Sequence, residues 1–151
     1  MLYRKAAPEN AKELAVLRKR QLADEGEEAL GDIDAELEMF FRDCLSDGSL
    51  IVWLAVEESG EIAATGAVCF HRYPPTYRNP TGMTAYVTGM YTVPDYRRKG
   101  LARALLGRVL DEARNRGCGL ARLHASVDGR PLYEAAGFVP MEGWLSLSLA
   151  N

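Results

Sequence analysis

Apolar residues recur along this chain in two periods, and each period predicts a different kind of element. Helical spacing comes first. Ala11, Leu14, Val16, Leu17 and Leu22 follow Pro8, a residue suited to a first helical turn, so a helix is expected from about Pro8 to Leu22. The acidic turn Asp24–Glu28 ends it. Leu37, Phe40, Phe41 and Leu45 form the stripe of a second helix from about Asp34 to Cys44, stopped at Asp47-Gly48. The clearest helix carries Ala102, Leu105, Leu106, Val109, Leu110 and Ala113 on one face. Arg103, Arg108, Asp111, Glu112 and Arg114 lie mainly on the other, and Gly117 lies past the end. A short helix is expected from Pro131 to Ala136, closed by Gly137.

Strand patterns fill the intervals. Leu2–Lys5 reads as a first short strand, and the unbroken apolar run Leu50–Val56 as a strand buried on both faces. Glu58-Ser59-Gly60-Glu61 turns the chain into a strand from Ile62 to about His71. A Pro- and aromatic-rich loop, Tyr73–Gly82, leads to a strand from about Thr84 to Val93. Gly89 within that strand predicts a bulge or a close backbone approach, and simple alternation puts Tyr86, Thr88, Met90 and Thr92 on one face. Further strands are expected at Leu120–Ala125, Phe138–Pro140 and Leu145–Leu149, the last with Ser146 and Ser148 on a wet face. Two turns imply antiparallel pairs. The long helix between the strands near 84–93 and 120–125 implies a parallel crossover, so an α/β fold with a mixed sheet is expected.

Composition narrows the class. A chain of 151 residues with no internal repeat or linker reads as a single domain over 1–151. At 48% hydrophobic and 26% charged it is globular, and a net charge of -3 supplies no general attraction to nucleic acid. Cys44, Cys69 and Cys118 are scattered and odd in number, which suggests a reducing compartment and no disulfide framework. No signal peptide or membrane-length apolar run is visible, so a cytoplasmic location is expected. His71 and His124 stand apart from any cysteine or carboxylate spacing, so no metal site is expected.

The chemistry concentrates at Val93-Pro94-Asp95-Tyr96-Arg97-Arg98-Lys99-Gly100-Leu101-Ala102. A strand ends there, a helix begins, and two small residues leave the first turn open. Such a helix start offers unpaired N–H groups and partial positive charge to an anion. Other phosphate motifs fail. Lys99 precedes Gly100, so there is no P-loop, and Gly117-Cys118-Gly119 lacks the third glycine of a dinucleotide fingerprint.

Arg97–Ala102 resembles the acyl-CoA pyrophosphate loop of the GNAT N-acetyltransferase superfamily, Arg/Gln-x-x-Gly-x-Gly/Ala. Leu132-Tyr133-Glu134-Ala135-Ala136-Gly137-Phe138 resembles the family's second signature, at the family's distance. The resemblance covers essentially the whole chain. It implies the GNAT fold, a mixed, mostly antiparallel twisted sheet of about seven strands flanked by about four helices. It implies acetyl-CoA as cosubstrate and acetyl transfer to a primary amine in a ternary complex. It places the pyrophosphate on main-chain N–H groups from about Arg98 to Arg103, with Arg97 and Lys99 adding charge. It places the pantetheine arm along Met90, Tyr91, Thr92 and Val93, in a gap where two parallel strands part. Gly100, Leu101 and Ala102 form the open turn. Ser126 stands where many members carry Asn, seven residues before the Tyr, and can offer one hydrogen bond where an amide offers two.

The same resemblance makes Tyr133 the general acid. The reaction expels a thiolate, and a phenol can stabilise that sulfur as a donor and then protonate it. The base that takes the amine's proton is open among a carboxylate acting through water, Tyr86, His71 and His124. The acceptor region holds Glu25, Tyr73 and Tyr86, and the neighbouring Asp24, Glu27, Glu28, Tyr77 and Trp144 suit a cation. Dimers are common in the family, so a homodimer is compatible with this reading. A non-catalytic acyl-CoA sensor on the same fold is the alternative. Nucleic-acid binding through Arg97, Arg98, Lys99 and Arg103 is a more distant one, since no second basic patch accompanies them.

Overall fold

The computed structural model describes residues 1–150. Strands β1 (Leu2–Lys5), β2 (Leu50–Val56), β3 (Ile62–Arg72), β4 (Met83–Thr92) and β5 (Leu120–Arg122) form one five-stranded sheet in sequence order. The first three junctions are antiparallel and β4–β5 is parallel. Helix α1 (Ala11–Asp24), entered by a 3-10 turn at Pro8–Asn10, and α2 (Asp34–Asp47) cover one face. Helices α3 (Leu101–Asn115) and α4 (Arg130–Ala135) cover the other. The mixed sheet and four helices follow the expected order, but the sheet has five strands among the described residues, not about seven.

Both missing strands are C-terminal. Residues Phe138–Pro140 and Leu145–Leu149 run without sheet pairing, and Leu145, Leu147 and Leu149 are 97, 83 and 88% exposed. Alternation is a necessary condition for a strand and not a sufficient one. A strand exists only where a neighbouring edge accepts its hydrogen bonds, and among the described residues no strand pairs with either segment.

Each face of the sheet has its own core. Leu14, Leu17, Phe41, Leu50, Val52 and Leu54 pack with α1 and α2. Val68, Ala85, Val87, Leu106, Val109 and Tyr133 pack with α3 and α4. The predicted stripe of α3 supplies Leu106, Val109 and Ala113 to that second core, and its fully buried Leu105 packs beside it with Ala55, Ala63, Ala64 and Leu101. Its polar face is also tethered. Glu112 accepts from the Trp53 indole at 3.1 Å and pairs with Lys5 at 2.6 Å, and Arg108 lies 4.0 Å over the Tyr3 ring.

Candidate active site

Two backbone irregularities build the site. The first is the bulge in β4. Thr65 pairs with Tyr91 but Ala67 pairs with Thr88, so Gly89 and Met90 together face Gly66. Gly89 adopts φ +57°, and its carbonyl accepts from the Thr65 hydroxyl at 2.7 Å. The extra residue reverses the alternation. Ala85 and Val87 face α3 before the bulge and Met90 faces it after, while Tyr91 turns into the α1 core. The expectation that Tyr86, Thr88, Met90 and Thr92 share a face is therefore corrected. Tyr86 and Thr88 lie on the α1 side, and Met90 and Thr92 on the α3 side.

The second irregularity is the parting of β4 and β5. They pair only from Thr84↔Leu120 to Tyr86↔Arg122. Beyond that point β4 runs on to Thr92 with no partner on that side, and the expected strand to Ala125 stops at Arg122. The diverging strands leave Thr88 to Thr92 without a strand partner on the β5 side.

The turn after β4 sits at the wide end of this gap. Pro94–Tyr96 form a 3-10 turn, Arg98 has φ 63° and Gly100 has φ +79°. Gly100 precedes the first turn of α3, which has no side-chain cap. Among the described residues, no main-chain N–H from Arg98 through Arg103 has a partner in the chain. Left-handed residues on either side of Lys99 curl these donors into a concave, electropositive cradle. A Cβ added to Gly100 would meet nothing within 4 Å, so its conformation, not its packing, requires glycine.

The side chains of this loop are arranged differently from the simple expectation. Arg97 is tied down. It donates to Asp24 at 2.9 Å and to the Thr92 carbonyl at 3.0 Å. Asp24 also accepts from the Tyr91 hydroxyl at 3.0 Å. Arg97 thus clamps the end of β4 to the end of α1. Lys99 lies 5.1 Å over the Tyr96 ring. Sequence reading missed the clamp, because Asp24 and Arg97 are far apart in the chain and only the fold brings them together. It also missed Gln21, a buried amide at the C-terminal end of α1. Gln21 donates to Glu25 at 3.0 Å and to the Met90 carbonyl at 3.4 Å, fixing α1 on the bulge.

Tyr133 is buried in the core on the α3 side of the sheet, 8% exposed, edge-on to Phe138 with centroids 6.0 Å apart. Its ring packs so closely on Gly129 that a Cβ there would come within 3.1 Å of it. Burial, and then the charge of Glu25, raise the Tyr133 phenol above its ordinary value of 10.0. The phenol is therefore a neutral donor at neutral pH, and the end of α1 is electrostatically coupled to it. Ser126 starts the turn into α4, where its hydroxyl accepts from the Gly129 N–H at 3.1 Å. It lies beyond the end of β5, in a loop.

Two of the candidate proton acceptors meet. The Tyr86 hydroxyl and His124 Nδ1 are 3.0 Å apart, just where the strands part. His71 stands apart from that pair, 6.2 Å from Tyr73 ring to ring. Arg122 lies between Tyr73 (5.8 Å) and Trp144 (4.3 Å), which brings the Tyr73 loop to the same end of the sheet.

The chain is similar to known proteins over nearly its whole length. Residues 14–138 match the family model described as acetyltransferase (GNAT) family. A predicted acetyltransferase of Clostridium acetobutylicum, crystallised with acetyl-CoA, is 44% identical, with 98% of this chain and 96% of that one covered and a TM-score of 0.93. A GCN5-related N-acetyltransferase from Ralstonia eutropha is 25% identical over 99% of both chains, with a TM-score of 0.90. A ribosomal-protein-alanine N-acetyltransferase from Brucella melitensis, 22% identical over the full length of both chains with a TM-score of 0.67, shares the fold. No curated protein matches the sequence. The match spans the cradle, the bulge and the Tyr133 helix in one frame, and by it the chain belongs to the acetyltransferase (GNAT) family.

Proposed function

We propose that this protein is an N-acetyltransferase that moves the acetyl group of acetyl-CoA directly to a primary amine. The observation that carries the reading is the run of unpartnered N–H groups from Arg98 through Arg103 at the open end of the β4–β5 gap. A pyrophosphate fits that cradle through main-chain donors. The pantetheine arm then lies in the gap along Met90 to Val93, on the side of β4 that has no strand beside it. This directs the thioester toward Tyr133. The amine attacks the acetyl carbonyl, the C–S bond breaks, and the thiolate takes the phenol's proton.

Direct transfer suits the cysteines. A two-step route needs an ionised thiol, and burial pushes Cys69 up to about 11 and raises Cys118 as well. The amine's proton goes to the hydrogen-bonded pair Tyr86–His124 at the fork of the strands. Glu25, coupled to Tyr133 and held by Gln21, supplies negative charge to a cationic acceptor, and Tyr73 lines the other side.

An acceptor screen that follows free-thiol release from acetyl-CoA tests the reading. Turnover with an amine, reduced by Tyr133→Phe, is the expected result. Acetyl-CoA binding without turnover on any amine would favour the sensor.

A further inference from the structure

Arg122 is a cation without a partner beside the fork of the strands. Ala121 and Leu123 pack into the α3-side core, so alternation turns Arg122 and His124 to the face that Tyr86 occupies. Tyr86 and Arg122 are the last paired residues of β4 and β5, on main chains about 4.8 Å apart. Among the described residues, Arg122 enters no ion pair. Its Nε is buried with no hydrogen-bond partner, and it is the one buried side-chain nitrogen or oxygen among the described residues of which that holds. An unmet buried donor destabilises a fold, and one on a charged group does so more.

The neighbours of the guanidinium account for its position but not for its hydrogen bonds. The Trp144 ring lies 4.3 Å from it and the Tyr73 ring 5.8 Å. Aromatic faces attract a cation, but they offer no oxygen to the N–H groups that a guanidinium directs within its own plane. Tyr73 and Trp144 are themselves exposed, so the sleeve is open to a ligand. Beside it, the Tyr86 hydroxyl and His124 Nδ1 are 3.0 Å apart. The pair to which the proposed reaction gives the amine's proton and an unused cationic fork thus stand on adjacent strands, on one face.

We propose that Arg122 binds the carboxylate of the acceptor, and that the acceptor is an amino acid whose α-amine receives the acetyl group. The inference rests on the transferase reading for the amine and on Arg122 for the anion. A carboxylate matches the planar fork of an arginine through two parallel hydrogen bonds. The small spacing of neighbouring strands suits an acceptor whose amine and anion sit on one carbon. The cation-attracting Glu25 and the anion-attracting Arg122 together suit a zwitterion, which neither a polyamine nor a plain acid is. Transfer forms the amide C–N bond and breaks the thioester C–S bond. The amine's proton leaves to the Tyr86–His124 pair, the thiolate takes that of Tyr133, and the products are an N-acetyl amino acid and free CoA.

Free-thiol release from acetyl-CoA, measured with the common amino acids, their carboxamides and their aminophosphonate analogues, tests this. Calorimetry on the CoA-loaded protein follows binding of the same compounds. The expected result is an amino acid preferred over its own carboxamide by about 10–100-fold in kcat/KM. Arg122→Gln should abolish most of that preference, and Arg122→Lys, which keeps the charge and loses the fork, should retain part of it. The comparison of acid with carboxamide on the unaltered chain needs no variant, so it decides even if Arg122→Gln fails to fold. A carboxamide used as well as its acid, or a preference that Arg122→Gln does not move, would overturn the proposal. So would an aminophosphonate preferred over its carboxylate. Should no amine be acetylated, Arg122-dependent binding of the acids would leave the carboxylate site standing while the transferase reading falls, and absent binding would overturn the site too.

Discussion

Three side chains define the site at the scale of single residues. Tyr133 is held neutral by burial and by Glu25. Tyr133→Phe should lower kcat by about 10²–10⁴-fold with acetyl-CoA affinity unchanged by calorimetry. The proposed acid role needs the phenol protonated, so activity should be retained below its raised value and fall as pH passes through it. Glu25→Gln removes a charge that raises it, and should move the alkaline fall of kcat to lower pH in a rate profile. His124 shares a hydrogen bond with Tyr86. His124→Ala should lower kcat, and added imidazole should restore part of it if the ring carries the proton. The helix that carries Tyr133 was legible because it has a sequence signature. The Gln21–Glu25–Met90 contact was not, since nothing local marks a glutamine as an anchor.

Elements add what no residue holds alone. Helix α3 was readable from its apolar period, and the structure places that stripe on the sheet with Leu105 fully buried. Its N-terminus is left open to an anion because Arg98 and Gly100 take left-handed conformations before it. Gly100→Glu should abolish acetyl-CoA binding by calorimetry, through negative charge in the cradle. Gly100→Ala isolates the conformational part and should destabilise the fold by about 1–2 kcal/mol in thermal or urea unfolding. The bulge was legible at Gly89, but its consequence was not. One inserted residue reverses every later side chain of β4, and pattern reading carries the old alternation through it.

Across the whole molecule, the sheet separates two tasks. In the proposed reading the donor cradle belongs to α3 and the turn before it, and the acceptor groups belong to α1, the Tyr73 loop and the fork of β4 and β5. Direct transfer requires both substrates to be present together. Initial-velocity lines for acetyl-CoA and an acceptor amine should intersect, and parallel lines would require an acyl-enzyme. The Arg97–Asp24 clamp joins the two halves on the surface, where an ion pair contributes only about 0–1 kcal/mol. Its role is to hold the turn relative to α1. No helix among the described residues is long and apolar enough to cross a membrane.

Local periods and the two signatures determined the order of elements, the mixed sheet and the open helix start at Gly100. These depend on contacts within a few residues or on one buried face, which the sequence records directly. Tertiary structure alone decided where β4 and β5 part, which face each β4 residue takes after Gly89, and that Arg97 holds Asp24. It also decided that Leu145–Leu149, a strand by pattern, has no strand beside it. Pairing is a property of two segments in space, and a sequence pattern describes only one of them at a time.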